Sequence, residues 1–126
     1  MRTFVSALGV AIALISAIFQ AHAQKETERY IPLGQSPGVS QKYTSIGEIS
    51  HVDPAARTVT VTEQAGRRTV KITEKTRIWL DRTKLKQANL SGSFTDLQKG
   101  RRVEVKYEDP ERRQIADWVK VEIAQP

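Results

Sequence analysis

From Arg57 to Thr73 the chain alternates apolar and polar residues. Val59 and Val61 stand between Thr58, Thr60 and Thr62, and Val70 and Ile72 stand between Thr69, Lys71 and Thr73. A period of two sends successive side chains to opposite faces of a strand, so each run has one face to bury and one to solvate. Gln64-Ala65-Gly66 between the runs has the length and the glycine of a hairpin turn. This stretch therefore reads as two antiparallel strands.

The same phase continues. Ile78 and Leu80 resume it after Glu74 and Lys75 interrupt, which predicts a bent or bulged strand at Thr73–Thr76. Val103, Val105 and Tyr107 alternate with Arg102, Glu104 and Lys106, and Val119, Val121 and Ile123 close the chain in phase. Upstream, Tyr43 to Asp53 supplies a first strand in which Ile49 and Val52 are three apart, a break in period that predicts another bulge. Asp81 to Gly100 is the one long connection, with room for a short helix or an ordered loop, Leu97 as an apolar anchor and Gly100 at a turn. Five strands with the long connection after the third predict an all-β fold, a small five-stranded OB-like β-barrel, with a small open sandwich as the alternative.

The N-terminus has a different grammar. Met1-Arg2, the apolar run from Phe4 to Phe19 and the Ala21-His22-Ala23 site read as a secretory signal peptide, residues 1–23, cleaved after Ala23. The run is shorter than the roughly 20 apolar residues a spanning helix requires, so no transmembrane span is expected after cleavage. Of the 126 residues, 103 would remain, with a net charge of +5 rather than +6 once Arg2 is gone. Residues 24–42 are polar, turn-rich and without period, a linker or strap ahead of a domain at 43–126. There is no cysteine, so neither a disulfide nor a lipid anchor on Gln24 is available, and the domain must fold on its apolar core alone. The expected compartment is periplasmic or secreted.

Within the strap, Gly34-Gln35-Ser36-Pro37-Gly38 spells G-x-S-x-G, the nucleophile elbow of α/β-hydrolases. That elbow needs the backbone N–H of the residue after the serine for its oxyanion hole. Here that residue is Pro37, which has no N–H, so the mechanism fails and no catalytic residue is assigned. Tyr30, Ile31, Leu33 and Val39 are more apolar than a free linker requires, and predict a strap lying along the barrel with Ile31 or Leu33 covering apolar surface. His51 is the one histidine of the mature chain and has no visible partner to tune it, so it reads as a rim residue. Without Cys or Met sulfur in the mature chain, soft-metal carriage lacks its ligands, and no metal or cofactor is expected.

In order along the chain, Gly47 to Ile49, Val52-Asp53, Thr58 to Val61, Val70 to Ile78, Asp96 to Val105 and Ala116 to Val121 resemble a family of exported bacterial small β-barrel (OB-like) domains of unknown function. The resemblance implies a fold and a compartment, and supplies no catalytic residues.

The remaining chemistry lies on the outward face. With Ile78, Leu80, Val119 and Val121 inward, Arg77, Trp79, Trp118 and Lys120 point out, and Arg102 opens the fourth strand. Two arrangements fit. The residues form a binding surface for a protein partner or an anionic envelope polymer, or the tryptophans pack under the strap while the arginines solvate hairpin ends. The function expected is a non-enzymatic exported binding or adaptor domain acting through this Trp/Arg face. The alternatives are a small-ligand or metal-ion carrier using the barrel mouth near His51 and, ranked last because export removes the usual substrate, an OB-type nucleic-acid binder.

Overall fold

The alternating runs become strands with the expected residues inward. In a computed structural model describing residues 25–126, β1 (Thr44–Asp53), β2 (Thr58–Glu63) and β3 (Gly66–Lys71) form an antiparallel meander. The signal-peptide expectation lies outside the described residues. In β1 the register shifts between Ile49 and His51, leaving Ser50 as the extra residue of a bulge, which accounts for the three-residue spacing of Ile49 and Val52. Asp53 opens the following turn by accepting the Ala56 N–H at 3.1 Å. Gln64-Ala65 makes the next turn, and Gly66 leaves it with a φ of 132°.

The sheet departs from expectation at Thr73–Thr76. The third strand ends there instead of bending: Thr76 N–H bonds Thr73 O at 3.1 Å, Thr73 N–H bonds Thr76 Oγ1 at 2.9 Å, and the Thr76 hydroxyl reaches Ala116 O at 2.8 Å. This turn consumes backbone groups that a continuous strand would offer its neighbours. The chain resumes as β4 (Arg77–Asp81), which runs parallel to β7 (Ala116–Glu122) on the far side of the sheet. Between the halves, β6 (Arg102–Tyr107) is antiparallel to both β1 and β7.

The long connection holds two 3-10 turns, Thr83–Leu85 and Phe94–Asp96, and the two-residue strand β5 (Leu90–Ser91), which extends the sheet beyond β4. The result is seven strands in the open order β3-β2-β1-β6-β7-β4-β5, in place of a closed five-stranded barrel. An isolated parallel bridge between Lys71 and Ile115 joins the end of β3 to the approach to β7.

One face of the sheet curls around a core of Ile49, Val59, Val61, Val70, Ile72, Val103, Val105, Val119 and Val121, with Leu97 anchoring the long connection as expected. Tyr107 closes one side of this core and donates its hydroxyl to Ser45 Oγ at 2.8 Å. Gly47 lies where β1 passes closest to β2, and a side chain there would collide with the Thr62 carbonyl and the Val61 side chain. Only a residue without Cβ fits this approach. Gly47→Ala is expected to cost about 1–3 kcal/mol through overpacking, which thermal unfolding would register as a fall of several degrees in Tm.

Candidate functional site

The opposite face of β1, β6, β7 and β4 carries polar and aromatic residues in three cross-strand rows. Pairing aligns Thr44, Lys106, Trp118 and Arg77 in one row and Ile46, Glu104, Lys120 and Trp79 in the next. In the third row Glu48 pairs with Arg102, and Glu122 with Asp81. Trp79 and Trp118 therefore stand on the outward face, as the phase predicts.

They do not meet solvent, which leaves the second of the two arrangements, tryptophans packed under the strap, in place of an open aromatic surface. Trp79 is 3% exposed, Trp118 1% and Lys120 1%. The two indole rings lie 5.7 Å apart at 43°, with the Lys120 ammonium 4.8 Å from the Trp118 ring. Residues 25–42 cover them, and this segment contacts β7, β4 and the long connection around the tryptophan pair. Lys25 reaches Asp117 at 2.6 Å, Glu26 meets Arg77 at 3.1 Å, and Asn89 donates to Arg29 O at 2.9 Å. Arg77 and Arg102 keep about half of their side chains exposed, Arg102 paired with Glu122 at 3.2 Å.

Three buried charges hold the strap. Lys120 Nζ donates to Glu28 Oε2 at 2.9 Å, Ile31 O at 3.0 Å and Ser36 Oγ at 3.1 Å, which uses all three ammonium protons. Asp81 Oδ2 accepts the Leu33 N–H at 2.7 Å, while its other oxygen accepts from the Thr83 N–H and hydroxyl. Glu104 accepts the Gly34 N–H at 2.9 Å and the Thr44 hydroxyl at 2.8 Å. Two successive main-chain N–H groups thus land on two carboxylates from different strands. Gly34, with a φ of 82°, makes the backbone bend that this requires. At the far end, the Arg113 guanidinium donates to Lys42 O and Thr44 O at 3.0 and 3.3 Å, fixing the join between strap and β1.

Ser36 belongs to this network. It is 3% exposed, its hydroxyl donates to Glu28 Oε2, and it accepts from Lys120. A serine nucleophile paired with lysine needs a neutral amine that takes the hydroxyl proton. Here the lysine donates, the serine proton points at a carboxylate, and Pro37 follows, so Ser36 is a buried clamp within an otherwise exposed turn.

Burial by itself would raise the Asp81 carboxyl. The hydrogen bonds from Leu33 N–H and from the Thr83 hydroxyl and N–H, together with the Lys120 charge, outweigh it and hold the group below its ordinary value. His51 is exposed on β1 opposite Thr60, and among the described residues no cluster of His, Cys, Asp or Glu is arranged to hold a metal ion. An open groove of about 460 Å³ runs beside the start of the strap, lined by Lys25, Glu26, Lys75, Arg77 and the edge of Trp79.

Of the residues singled out from sequence, Trp79, Trp118, Arg77 and Lys120 are brought together, and Arg102 sits at the margin beside Gly34. Sequence reasoning missed Glu28, Asp81, Glu104 and the role of Ser36. The available signal was Glu104 and Lys120 at the centre of valine-rich strands, in the same outward phase as Trp118.

Two outcomes follow. Lys120→Met leaves Glu28 and Ser36 without their cation and is expected to lower stability by about 3–5 kcal/mol in denaturant unfolding. Adding Glu28→Leu is expected to restore part of that loss, because the stranded carboxylate goes too. Since its folded pKa is lowered, Asp81 contributes stability above the ordinary 3.8, and this contribution disappears as pH falls through 3.8 toward the folded value. Acid unfolding below about pH 4 should therefore be less steep in Asp81→Asn than in the wild type.

No protein-family model, no curated protein and no solved structure matches this chain.

Proposed function

We propose that the chain is a non-enzymatic, exported binding or adaptor domain that engages a protein partner through the face bearing Trp79, Trp118, Arg77, Lys120 and Arg102. The observation that carries this reading is the strap itself. The sheet face holds a non-regular stretch of polypeptide by gripping its main chain, with carboxylates on Leu33 and Gly34 N–H and an ammonium on Ile31 O. A surface that reads backbone and buries an aromatic pair is suited to a protein segment.

The same reading takes the fold as an OB-like curl. Its support is the pairing pattern: the β1–β2–β3 meander, β6 between β1 and β7, the parallel β4–β7 pair, and the bridge from Lys71 at the end of edge strand β3 to Ile115 just before β7. It takes the location as periplasmic or secreted on the signal-peptide pattern of residues 1–23, consistent with the resemblance to exported small β-barrel domains.

Photo-crosslinking from a reactive residue at Arg77 or Arg102, in cells exporting the full chain, tests the assignment of the face. The same protein partner is expected from both positions and is absent when the reactive residue stands at Thr60, on β2 beyond the strap. Equal crosslinking from all three positions, or crosslinks that yield only acidic polymer, would count against it.

A further inference from the structure

The strap is held by its polar clamps more than by its own apolar weight. Among residues 25–42, Leu33 is the one apolar side chain in the buried class, whereas Tyr30 is 64% exposed. The outer ion pair between Glu26 and Arg77 lies in solvent, where such pairs contribute little. The join to the domain is a chain of turns in which Gln41, a residue with a side chain, is held at a φ of 69°. That left-handed conformation is unfavourable outside glycine, and it is held by the Gln41 N–H donating to Thr44 Oγ1 at 2.8 Å. Beneath the strap lie two indoles and three charged groups whose partners, apart from Thr83 and Thr44, come from it.

We infer that the covered face is a recognition groove, and that the strap is its resident occupant and the template of its ligand. The groove takes a partner protein's segment carrying a carboxylate for Lys120 and, five residues on as Leu33-Gly34 follow Glu28, an apolar residue before a glycine. The carboxylate is required because an occupant without one would bury the Lys120 ammonium without its direct ion-pair partner, while the neighbouring Asp81 and Glu104 carboxylates are engaged by main-chain N–H groups. The glycine is required because the second N–H reaches Glu104 only from a left-handed backbone, here with a φ of 82°. In the unoccupied protein the strap fills the groove and keeps the tryptophans from solvent, so the partner binds by displacing it. This deepens the binding reading above and rests on it.

The experiment uses the full mature chain with a protease site inserted between Ser40 and Gln41, nicked after folding. The probe is a fluorescent peptide of strap sequence, Lys25 to Ser40, added in large excess and followed by anisotropy. The wild-type peptide is expected to exchange into the nicked chain with saturable binding, and peptides carrying Glu28→Gln, Gly34→Val or Leu33→Asp to bind at least tenfold more weakly. If the inserted site prevents folding or the nicked chain unfolds, the intact Leu33→Asp chain, its own strap weakened at the buried leucine, should give the same ranking. Equal binding of all four peptides would overturn the recognition chemistry and leave the binding face standing. Binding of no peptide would overturn both, and polyphosphate bound with a steep salt dependence in that case would identify an anionic polymer as the ligand instead.

Discussion

A lysine ammonium sealed inside a protein must find its hydrogen-bond partners there, and the path of residues 25–42 is arranged around this need of Lys120. Its ammonium is satisfied at Glu28, Ile31 and Ser36, three points on one loop, so the loop is drawn around a single atom. An uncompensated charge at this depth would cost several kcal/mol, which is on the scale of the total stability of a small domain. Asp81 and Glu104 complete the arrangement from the neighbouring strands by taking two consecutive N–H groups. A strap with one buried leucine gains only about 1.5–3 kcal/mol from that side chain, while ordering each residue costs about 1–2 kcal/mol. Specific polar contacts, and the cover given to the indoles, decide where it lies.

This arrangement gives one sheet two different interiors. The curled face is built of valine and isoleucine, makes few demands for exact partners and carries the fold. The other face, over β6, β7 and β4, is an aromatic and charged layer in which every polar atom needs a specific partner. Such a layer specifies one covering segment and rejects others, a property of recognition surfaces more than of ordinary cores. Domain and strap are therefore separable in principle, each with its own determinants.

The curled face was legible in the sequence. The valine pairs of β2, β6 and β7, Val70 of β3, the bulge at Ser50, the Leu97 anchor and the turn at Gly100, where φ is 93°, all follow from period and turn chemistry. The break after β3 reads as a kink within one strand because the apolar phase interrupted at Glu74 and Lys75 resumes on even numbers at Ile78 and Leu80, which hides a hydrogen-bonded turn that hands the chain to the other side of the sheet. The site was half legible. Phase put Trp79, Trp118 and Lys120 on one face, and the apolar residues of the strap pointed to a covering role. Phase alone does not say whether an outward face is wet, because burial there depends on where a segment without period settles. Glu28 and Ser36 carried no periodic signal, and the G-x-S-x-G spelling drew attention to a chemistry that Pro37 excludes.

The claim that Lys120 organises the strap is tested most directly by amide hydrogen exchange at Leu33 and Gly34, compared between the wild type and Lys120→Met. Neither N–H touches Lys120, since each donates to a carboxylate. If the lysine holds the loop, both amides should be protected in the wild type and lose nearly all protection in the variant, while Val61 and Val105 in the curled core stay protected at the lower level set by the variant's global stability. Unchanged protection of Leu33 and Gly34 in a folded Lys120→Met protein would contradict it.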